Sequence, residues 1–215
     1  GGPSKAILEM CRAIIQDGIE VLLATTDADG EGRLPVHLGT PTPYQGVPTV
    51  FFSRQWSESL KYSRPLAQWL AENVFEYNVV HIHAVFSHAC LAAATACQRQ
   101  RVPYVVRPLG TLDPWSLNQK RFRKQVFWQL GARRMLHRAA AVHYTTKAEQ
   151  REAESSLHLN HGVVIPLGIE MDITTTEKAT DVFRGKYPSL GNNPYVVFLS
   201  RLHSKKNIEI LLNSF

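Results

Sequence analysis

Short apolar runs alternate along the chain with longer segments whose apolar residues recur every three or four positions. Residues 3–17 show the longer pattern, with Pro3 in the first turn and Gly18 after the last apolar residue, and this predicts an amphipathic helix. Further helices are predicted over residues 57–73, over SHACLAAATACQRQR and over KAEQREAESSL. The apolar runs predict strands, and they read IEVLLATT, VVHIH, VPYVVRPLG, AAAVHYTT and GVVIPLGIE. This alternation predicts an α/β fold in which helices cover both faces of a parallel sheet.

The pattern changes after Gly168. Residues 171–194 are polar and rich in turn formers, and the apolar run YVVFLSRL then begins a second strand–helix unit. We therefore expect one domain over residues 1–168, and an interdomain segment with the beginning of a second domain over residues 169–215. Because no strand precedes the first helix and one strand cannot bury a core, we expect the chain to be a piece of a larger protein. Unpaired sheet edges in such a piece favour marginal stability and self-association.

The composition is that of an ordinary soluble globular protein, with 44% hydrophobic and 20% charged residues. No apolar run approaches the ~20 residues that a membrane-spanning helix needs. Among the three cysteines, Cys90 and Cys97 lie seven residues apart on a predicted helix. This spacing suits two small core residues better than a disulfide, so we expect a reducing, cytoplasmic compartment.

Much of the positive charge lies in one segment. The net charge of the chain is +6, and residues 119–138 contain seven Lys or Arg and no acidic residue. Such a segment can face nucleic acid, anionic lipid or a phosphorylated substrate. Helical spacing predicts that one apolar stripe packs on the sheet, formed by Phe122, Val126 and Leu130. Trp128 is then expected on the opposite side among Arg121 and Lys124, where it faces either water or an anionic membrane surface that binds the protein peripherally.

Two histidines end the apolar run VVHIH. His81 and His83 are two residues apart on a predicted strand, so their side chains point to the same face. His83 is nearer the carboxyl end of the strand, where parallel sheets bind ligands. A metal site of His81, His83 and His88 is the alternative, but no Asp or Glu accompanies these residues as a further ligand or base. We therefore predict no metal site, and we interpret His81 as a core histidine.

Arg107 and Gly110 follow the next predicted strand, in VVRPLG. A guanidinium at this end of a sheet can bind a phosphate or sugar hydroxyls, so we place both residues in a ligand cleft. Asp113, before a proline, can simply cap the following helix. Glu149 lies in the first turn of the helix after AAAVHYTT, where capping is the simpler explanation and a role in the cleft is the alternative.

Two further places can hold a diphosphate. Arg201 follows the apolar run VVFLS, and Lys206 is predicted in the first turn of the next helix. Two cations and the N–H groups of a helix end would then converge on one point. Gly1 and Gly2 open the first predicted helix, where they either let a phosphate approach the free N–H groups or form a tight turn.

The order of these segments resembles the family-four retaining glycosyltransferases of the GT-B fold. The similarity spans nearly the whole chain and lies in GGPSKAILEMCRAIIQDGIEVLLATT, VVHIH, VRPLGTLDPW, VHYTTKAE, VIPLGIE and SRLHSKKNIEILLNSF. LGTLDPW followed by the basic segment is most similar to the branch that builds bacterial exopolysaccharides and cell-surface glycans. The resemblance implies two Rossmann-like domains that face each other across a cleft. The first would hold mainly the acceptor, and the second the nucleotide diphosphate sugar donor.

The resemblance also implies roles for single residues. His83 matches the family histidine that contacts the donor sugar, and Arg201 and Lys206 match the residues that bind the donor diphosphate. Arg107 stands in a loop where His-Gly is common, and Asn207 stands where glycine is usual. The family implies no cofactor and no tightly bound metal. Its pair of acidic residues eight apart, which would bind the sugar and ribose of the donor, is expected further along the second domain than this sequence extends.

We therefore predict a metal-independent retaining hexosyltransferase that moves a sugar from a nucleotide diphosphate sugar to a glycan or lipid-linked acceptor, with little activity in this piece alone. Three alternatives stay open. A non-catalytic Rossmann-like module that binds a sugar nucleotide or a partner would share these residues. A sugar-nucleotide epimerase of the same two-domain fold would share the diphosphate chemistry. A nucleic-acid binder acting through residues 119–138 is disfavoured, since that segment has no recognised nucleic-acid motif.

Overall fold

The chain forms two compact units, Gly1–Ile169 and Glu170–Phe215. The computed structural model describes residues 2–56, 60–168, 176–191, 194–200, 202 and 206–214. The boundary between the units lies next to Gly168, where the sequence becomes polar and rich in turn formers.

The described helices and strands alternate along the first unit. Its α-helices are α1 (Gly2–Gln16), α2 (Arg64–Asn73), α3 (His88–Gln100), α4 (Pro114–Asn118), α5 (Arg121–Phe127), α6 (Arg133–His137) and α7 (Lys147–Leu157). Its strands are β1 (Leu23–Thr26), β2 (Ala28–Asp29), β3 (Gly32–Arg33), β4 (Thr42–Tyr44), β5 (Val47–Phe52), β6 (Val80–His83), β7 (Tyr104–Arg107), β8 (Ala141–Tyr144) and β9 (Gly162–Val164). The second unit contains α8 (Thr176–Lys186) and α9 (Ile208–Asn213).

A four-stranded parallel sheet with the order β6-β7-β8-β9 forms the centre of the first unit. A smaller sheet has the order β1-β5-β4, in which β1 is parallel and β4 antiparallel to β5. The strands β2 and β3 form a separate hairpin. Among the described residues, no strand pairing joins β1 of the smaller sheet to β6 of the larger one.

The main core lies on one face of the four-stranded sheet. Ile82, Val106 and Val142, from three adjacent strands, are all buried there. Four helices bury residues in the same cluster, namely Leu70 of α2, Cys97 of α3, Leu136 of α6 and Ala153 of α7. A second, smaller cluster joins Leu8 and Cys11 of α1 to Val47 of β5. The predicted α/β fold, with a parallel sheet flanked by helices, is confirmed.

Several local predictions are also confirmed. The segment KAEQREAESSL forms α7 over its whole length, because the Thr146 side chain before it accepts a hydrogen bond from the Glu149 N–H. Asp113 caps α4 in the same way, and its Oδ1 accepts the Ser116 N–H at 2.7 Å. Cys90 and Cys97 are buried free thiols on α3, as their spacing indicated.

The helix predicted over residues 57–73 begins later than expected. Residues 57–59 lie outside the described residues, and α2 starts only at Arg64. The Ser63 Oγ accepts the Leu66 N–H at 3.2 Å, and Pro65 lies in the first turn. A capping serine followed by a first-turn proline is a strong start signal, and it overrides the apolar spacing further upstream.

The prediction that Phe122, Val126 and Leu130 pack on the sheet is wrong. Their side chains are 81%, 42% and 70% exposed. The adjacent aromatic residues Phe127 and Trp128 lie inward instead, the first buried and the second packed against the core. Large aromatic side chains bury more apolar area than the predicted stripe, so the segment rotates to cover them. The predicted position of Trp128 among outward cations is wrong for the same reason.

The basic segment is also less regular than one continuous helix. A wide π turn, Trp128–Ala132, separates α5 from α6, and Gly131 within it has a φ of 142°. This conformation is open to glycine at little cost. The segment is therefore kinked at Gly131, and Ala132, Met135 and Leu136 beyond the kink are buried.

The strand predicted at the beginning of the second unit is not formed in the described residues. Residues 194–199 have no regular secondary structure, and Val196, Val197 and Leu199 are exposed. A lone apolar run gains little from an extended conformation without a neighbouring strand to pair with. In the described chain, no helix is both long and apolar enough to cross a bilayer.

Candidate functional site

Polar side chains line the sheet face that points away from the main core. Ile82, Val106 and Val142 point into the core, and successive residues of a strand point to opposite faces. The opposite face of these three strands therefore carries the sequence neighbours His81, His83, Arg107 and His143. Three histidines and an arginine on one face of three adjacent parallel strands are unusual, because the strands of parallel sheets are normally rich in apolar residues.

Arg107 is the most unusual member of this group. It ends β7, lies in register with His83 at the end of β6, and is 0% exposed. Among the described residues, none of the three guanidinium nitrogens has a hydrogen-bond partner, and neither has the buried Nδ1 of His83. A buried charge without a partner is costly, and groups of this kind mark ligand sites when they lie at the carboxyl edge of a parallel sheet.

His143 lies within hydrogen-bond distance of a backbone carbonyl and of the His81 ring. Its Nε2 lies 2.9 Å from the Ile165 carbonyl oxygen, which can only accept, so His143 donates from Nε2. Its Nδ1 lies 3.4 Å from Nε2 of His81, so one hydrogen can be shared between the two rings. The ring of His81 also lies against His83, with 4.4 Å between the ring centroids.

The histidines next to Arg107 are neutral at physiological pH. Burial, with smaller contributions from His81, Arg107 and His143, lowers the pKa of His83 to about 3. Burial, His143 and Arg107 lower the pKa of His81 to about 4. Burial also lowers the pKa of Arg107, and Glu149 opposes that shift. Because a guanidinium stays protonated in proteins, the site combines neutral imidazoles with one permanent positive charge.

Glu149 ties together the two loops that follow β7 and β8. Its Oε1 accepts the Gly110 N–H at 2.7 Å, and its Oε2 accepts both the N–H and the hydroxyl of Thr145 at 2.8 Å. Both carboxylate oxygens are therefore engaged within the protein. This arrangement agrees with the capping explanation, and it also places a negative charge where it acts on Arg107.

The loop after Arg107 is tightly folded. Leu109 and Gly110 have positive φ values of 58° and 66°. The loop is held by the Thr111 hydroxyl, which donates to the Pro108 carbonyl at 2.7 Å, and by the Ser116 hydroxyl, which donates to the Gly110 carbonyl at 3.0 Å. These bonds fix the backbone beside the buried guanidinium, so Arg107, Gly110 and Glu149, all predicted for the cleft, lie together.

The metal alternative does not match the arrangement of the histidines. His88 lies beside Tyr62, with 4.4 Å between the ring centroids, and its Nδ1 accepts the Ser63 N–H at 3.5 Å. His143 takes the place next to His81 instead. Within the described residues, no group of three or more His, Cys, Asp or Glu side chains could hold a metal ion.

The predicted diphosphate-binding residues are only partly described. Gly1 and Arg201 lie outside the described residues. Gly2 is exposed at the start of α1, and a Cβ there would meet no atom within 4 Å. Lys206 is exposed in the second unit. It lies two residues before α9 rather than in its first turn, because Asn207, with a φ of 47°, occupies the position before the helix.

His143 is the residue that the sequence analysis missed. It interrupts the apolar run AAAVHY, and it lies on the same face as Arg107 because both flank core residues in adjacent parallel strands. A polar residue inside a predicted strand was therefore a signal that the sequence offers. The contact between His143 and His81 could not be predicted from the sequence, because the two residues are 62 positions apart.

Comparison with known families gives one match. The model of the glycosyl transferase 4-like domain matches residues 1–168, which is more than half of the chain. A comparison with curated proteins finds no match. The matched range contains the whole polar group at the carboxyl edge of the sheet. The chain belongs to the glycosyl transferase 4-like family.

Proposed function

We propose that the chain is the acceptor-side part of a retaining glycosyltransferase that moves a hexose from a nucleotide diphosphate sugar to a hydroxyl of a glycan or lipid-linked acceptor. The observation that supports this most is the buried Arg107 beside the neutral His83 at the carboxyl edge of the sheet. The guanidinium of Arg107, held in place next to the neutral imidazole of His83, suits a sugar that carries or adjoins an anionic group. We further propose that the products are bacterial exopolysaccharides or cell-surface glycans, assembled in the cytoplasm at the inner face of the membrane.

On the donor side, His83 would bind a hydroxyl of the transferred sugar. Because its pKa is lowered to about 3, it would act as a neutral hydrogen-bonding group and not as a cation. Arg201 and Lys206, with the N–H groups at Gly1 and Gly2, would stabilise the charge that develops on the departing diphosphate. This assignment needs neither a metal ion nor a cofactor.

On the acceptor side, Arg107 would bind a phosphate or hydroxyl groups, and Gly110 and Glu149 would hold its loop in place. The acceptor oxygen bonds to the anomeric carbon while the bond from that carbon to the diphosphate oxygen breaks. The leaving diphosphate takes the proton of the acceptor hydroxyl, so no protein carboxylate is needed as the base. Attack and departure on one face of the sugar retain the anomeric configuration.

The test compares this chain with the complete product of the gene that encodes it. Both are incubated with uridine and guanosine diphosphate sugars and a set of alkyl glycosides and lipid-linked oligosaccharides. We expect acceptor-dependent transfer with retained configuration, seen by nuclear magnetic resonance, from the gene product, and little or none from residues 1–215. His83→Ala should lower kcat by about 10²–10³-fold. The matched control is His37→Ala, since His37 is exposed in another loop.

Each alternative predicts a different outcome of the same experiment. Interconversion of free sugar nucleotides without an acceptor would identify an epimerase. Binding of a sugar nucleotide with no turnover in the gene product would identify a non-catalytic module. Inverted configuration in the product would contradict the retaining mechanism while leaving the family intact.

A further inference from the structure

The segment 119–138 accounts for the whole net charge of the protein. It contains seven Lys or Arg and no acidic residue, while the chain as a whole carries +6, so the remaining residues together carry −1. The candidate site uses none of these seven cations. Their concentration in 20 consecutive residues therefore needs a separate explanation.

The outward side of the segment is a series of exposed residues, which we call the ridge. From Arg121 onward the exposed residues come in adjacent pairs that recur every four positions, three pairs before the non-helical Gly131 and two pairs after it. We define the ridge by these pairs, which are Arg121 with Phe122, Gln125 with Val126, Gln129 with Leu130, Arg133 with Arg134, and His137 with Arg138. The first, fourth and fifth pairs contain basic residues, and the first three pairs supply an apolar stripe of Phe122, Val126 and Leu130.

The apolar stripe of the ridge does not belong to the core. The inner side of the segment is already filled by Phe127, Met135 and Leu136, which are buried. Phe122 and Leu130, by contrast, are among the most exposed large apolar side chains of the first unit. A contiguous apolar stripe on a basic helix marks a surface that contacts another phase or partner.

The cations of the segment divide between the two sides. Arg123 lies over the Phe127 ring at 5.6 Å, and Lys124 lies over the Phe86 ring at 5.1 Å and donates to the Ser116 carbonyl. Both are turned inward. The outward cations are Lys120, Arg121, Arg133, Arg134 and Arg138. They therefore flank the apolar stripe at its two ends instead of interrupting it.

We propose that the ridge docks on an anionic lipid bilayer. An interfacial helix lays its apolar stripe into the boundary between head groups and acyl chains while flanking cations bind anionic head groups, and the ridge provides both in that order. Nucleic acid fits less well, because phosphates attract the cations but leave Phe122, Val126 and Leu130 without a contact. Membrane docking is inferred only from the exposure and charge of the ridge and does not depend on the proposed function. If the proposed function holds as well, docking would bring the protein close to lipid-linked acceptors.

The experiment measures flotation of the 215-residue chain with vesicles, without any sugar nucleotide, so its result is independent of catalysis. Vesicles of phosphatidylcholine alone are compared with vesicles that also contain about 30% phosphatidylglycerol, at low and high salt. We expect binding to the anionic vesicles only, and weaker binding at high salt. Equal binding to neutral vesicles, or no binding to either, overturns the proposal.

Two sets of variants separate the apolar and charged contributions. Phe122→Ser with Leu130→Ser should lower vesicle binding about tenfold or more. The control Ile19→Ser with Phe75→Ser, at exposed apolar positions outside the ridge, should not. The triple change Arg121→Gln, Arg133→Gln and Arg134→Gln should have a similar effect. Its control changes three exposed cations outside the ridge, Arg64→Gln, Lys147→Gln and Arg151→Gln.

Two results would assign the ridge to another partner. If the serine pair leaves vesicle binding unchanged and only the charged variants weaken both vesicle and duplex DNA binding, the ridge is a nucleic-acid surface. If the serine pair converts a dimer into a monomer in sedimentation while vesicles do not bind, the ridge is an interface between two copies of the chain. Circular dichroism of every variant excludes loss of folding as the cause.

Discussion

Replacing Arg107 by methionine tests whether its guanidinium is there for a ligand and not for the fold. The side chain is 0% exposed, and no described residue accepts a hydrogen bond from it. Exchanging buried charged groups for apolar residues of similar size is commonly neutral, or stabilising by about 1–4 kcal/mol. For a protein of this size that corresponds to a rise in Tm of at least about 2 °C. We therefore expect Arg107→Met to raise the Tm in a buffer without multivalent anions.

Arg54→Met is the matched control, because Arg54 is also buried but donates to the carbonyl oxygens of Gly30 at 2.7 Å, Glu31 at 3.0 Å and Gly32 at 3.3 Å. Loss of charge-assisted bonds of this kind costs about 1.5–3 kcal/mol each, so this change should lower the Tm. The same substitution is therefore expected to raise the Tm at Arg107 and to lower it at Arg54.

The assay is thermal unfolding with and without inorganic phosphate as the probe anion. Phosphate at about 100 times its Kd should stabilise the unmodified chain by about 2.7 kcal/mol and leave Arg107→Met unchanged. The reasoning is refuted if Arg107→Met lowers the Tm as much as Arg54→Met does. Equal stabilisation of the variant and the unmodified chain by phosphate would show that the anion binds elsewhere.

Two further predictions concern the same edge of the sheet. The pKa values of His81 and His83 are lowered from 6.5 to about 4 and about 3, so the unfolded chain binds more protons between pH 6.5 and 3. These two histidines therefore leave the free energy of unfolding unchanged above pH 6.5. As the pH falls through this window they lower it, by up to about 2.7 kcal/mol per pH unit. Urea unfolding at pH 7.5 and 5 should show this loss, and a His81→Gln, His83→Gln variant with the same pH dependence as the unmodified chain would contradict it. Glu149→Gln should lower the free energy of unfolding by about 1–3 kcal/mol, because an amide cannot accept from the Gly110 and Thr145 donors with both of its polar atoms. Glu152→Gln, at an exposed position of the same helix, should change it little, and equal effects would show that the carboxylate of Glu149 is not structural.

The sequence predicted the elements whose start and stop signals are local. α7 begins where Thr146 and Glu149 provide a cap, and the parallel strands were visible as apolar runs. The sequence could not predict which face of the basic segment turns inward. Phe122 and Phe127 both fit helical spacing, and only the rest of the fold decides which of them meets the core.

The candidate site was predictable in its place but not in its chemistry. His83 and Arg107 end apolar runs, and carboxyl ends of parallel strands meet at one edge, so their proximity follows from the fold class. The complete burial of Arg107 does not follow, and neither does the contact between the rings of His81 and His143. Both depend on side chains that come together only when distant segments fold.

The electrostatics of the site explain why an arginine suits position 107 better than a histidine would. Burial beside Arg107 already holds His81 and His83 in their neutral forms, so an imidazole at position 107 would also lose its charge. A lysine would lose part of its charge to the same desolvation, and it offers no planar fork. Only a guanidinium keeps a positive charge in this environment at neutral pH. A buried site that keeps a positive charge suits a ligand that is anionic or whose oxygen atoms match the two N–H groups of the guanidinium. The Arg107→Met experiment measures whether the guanidinium binds such a ligand.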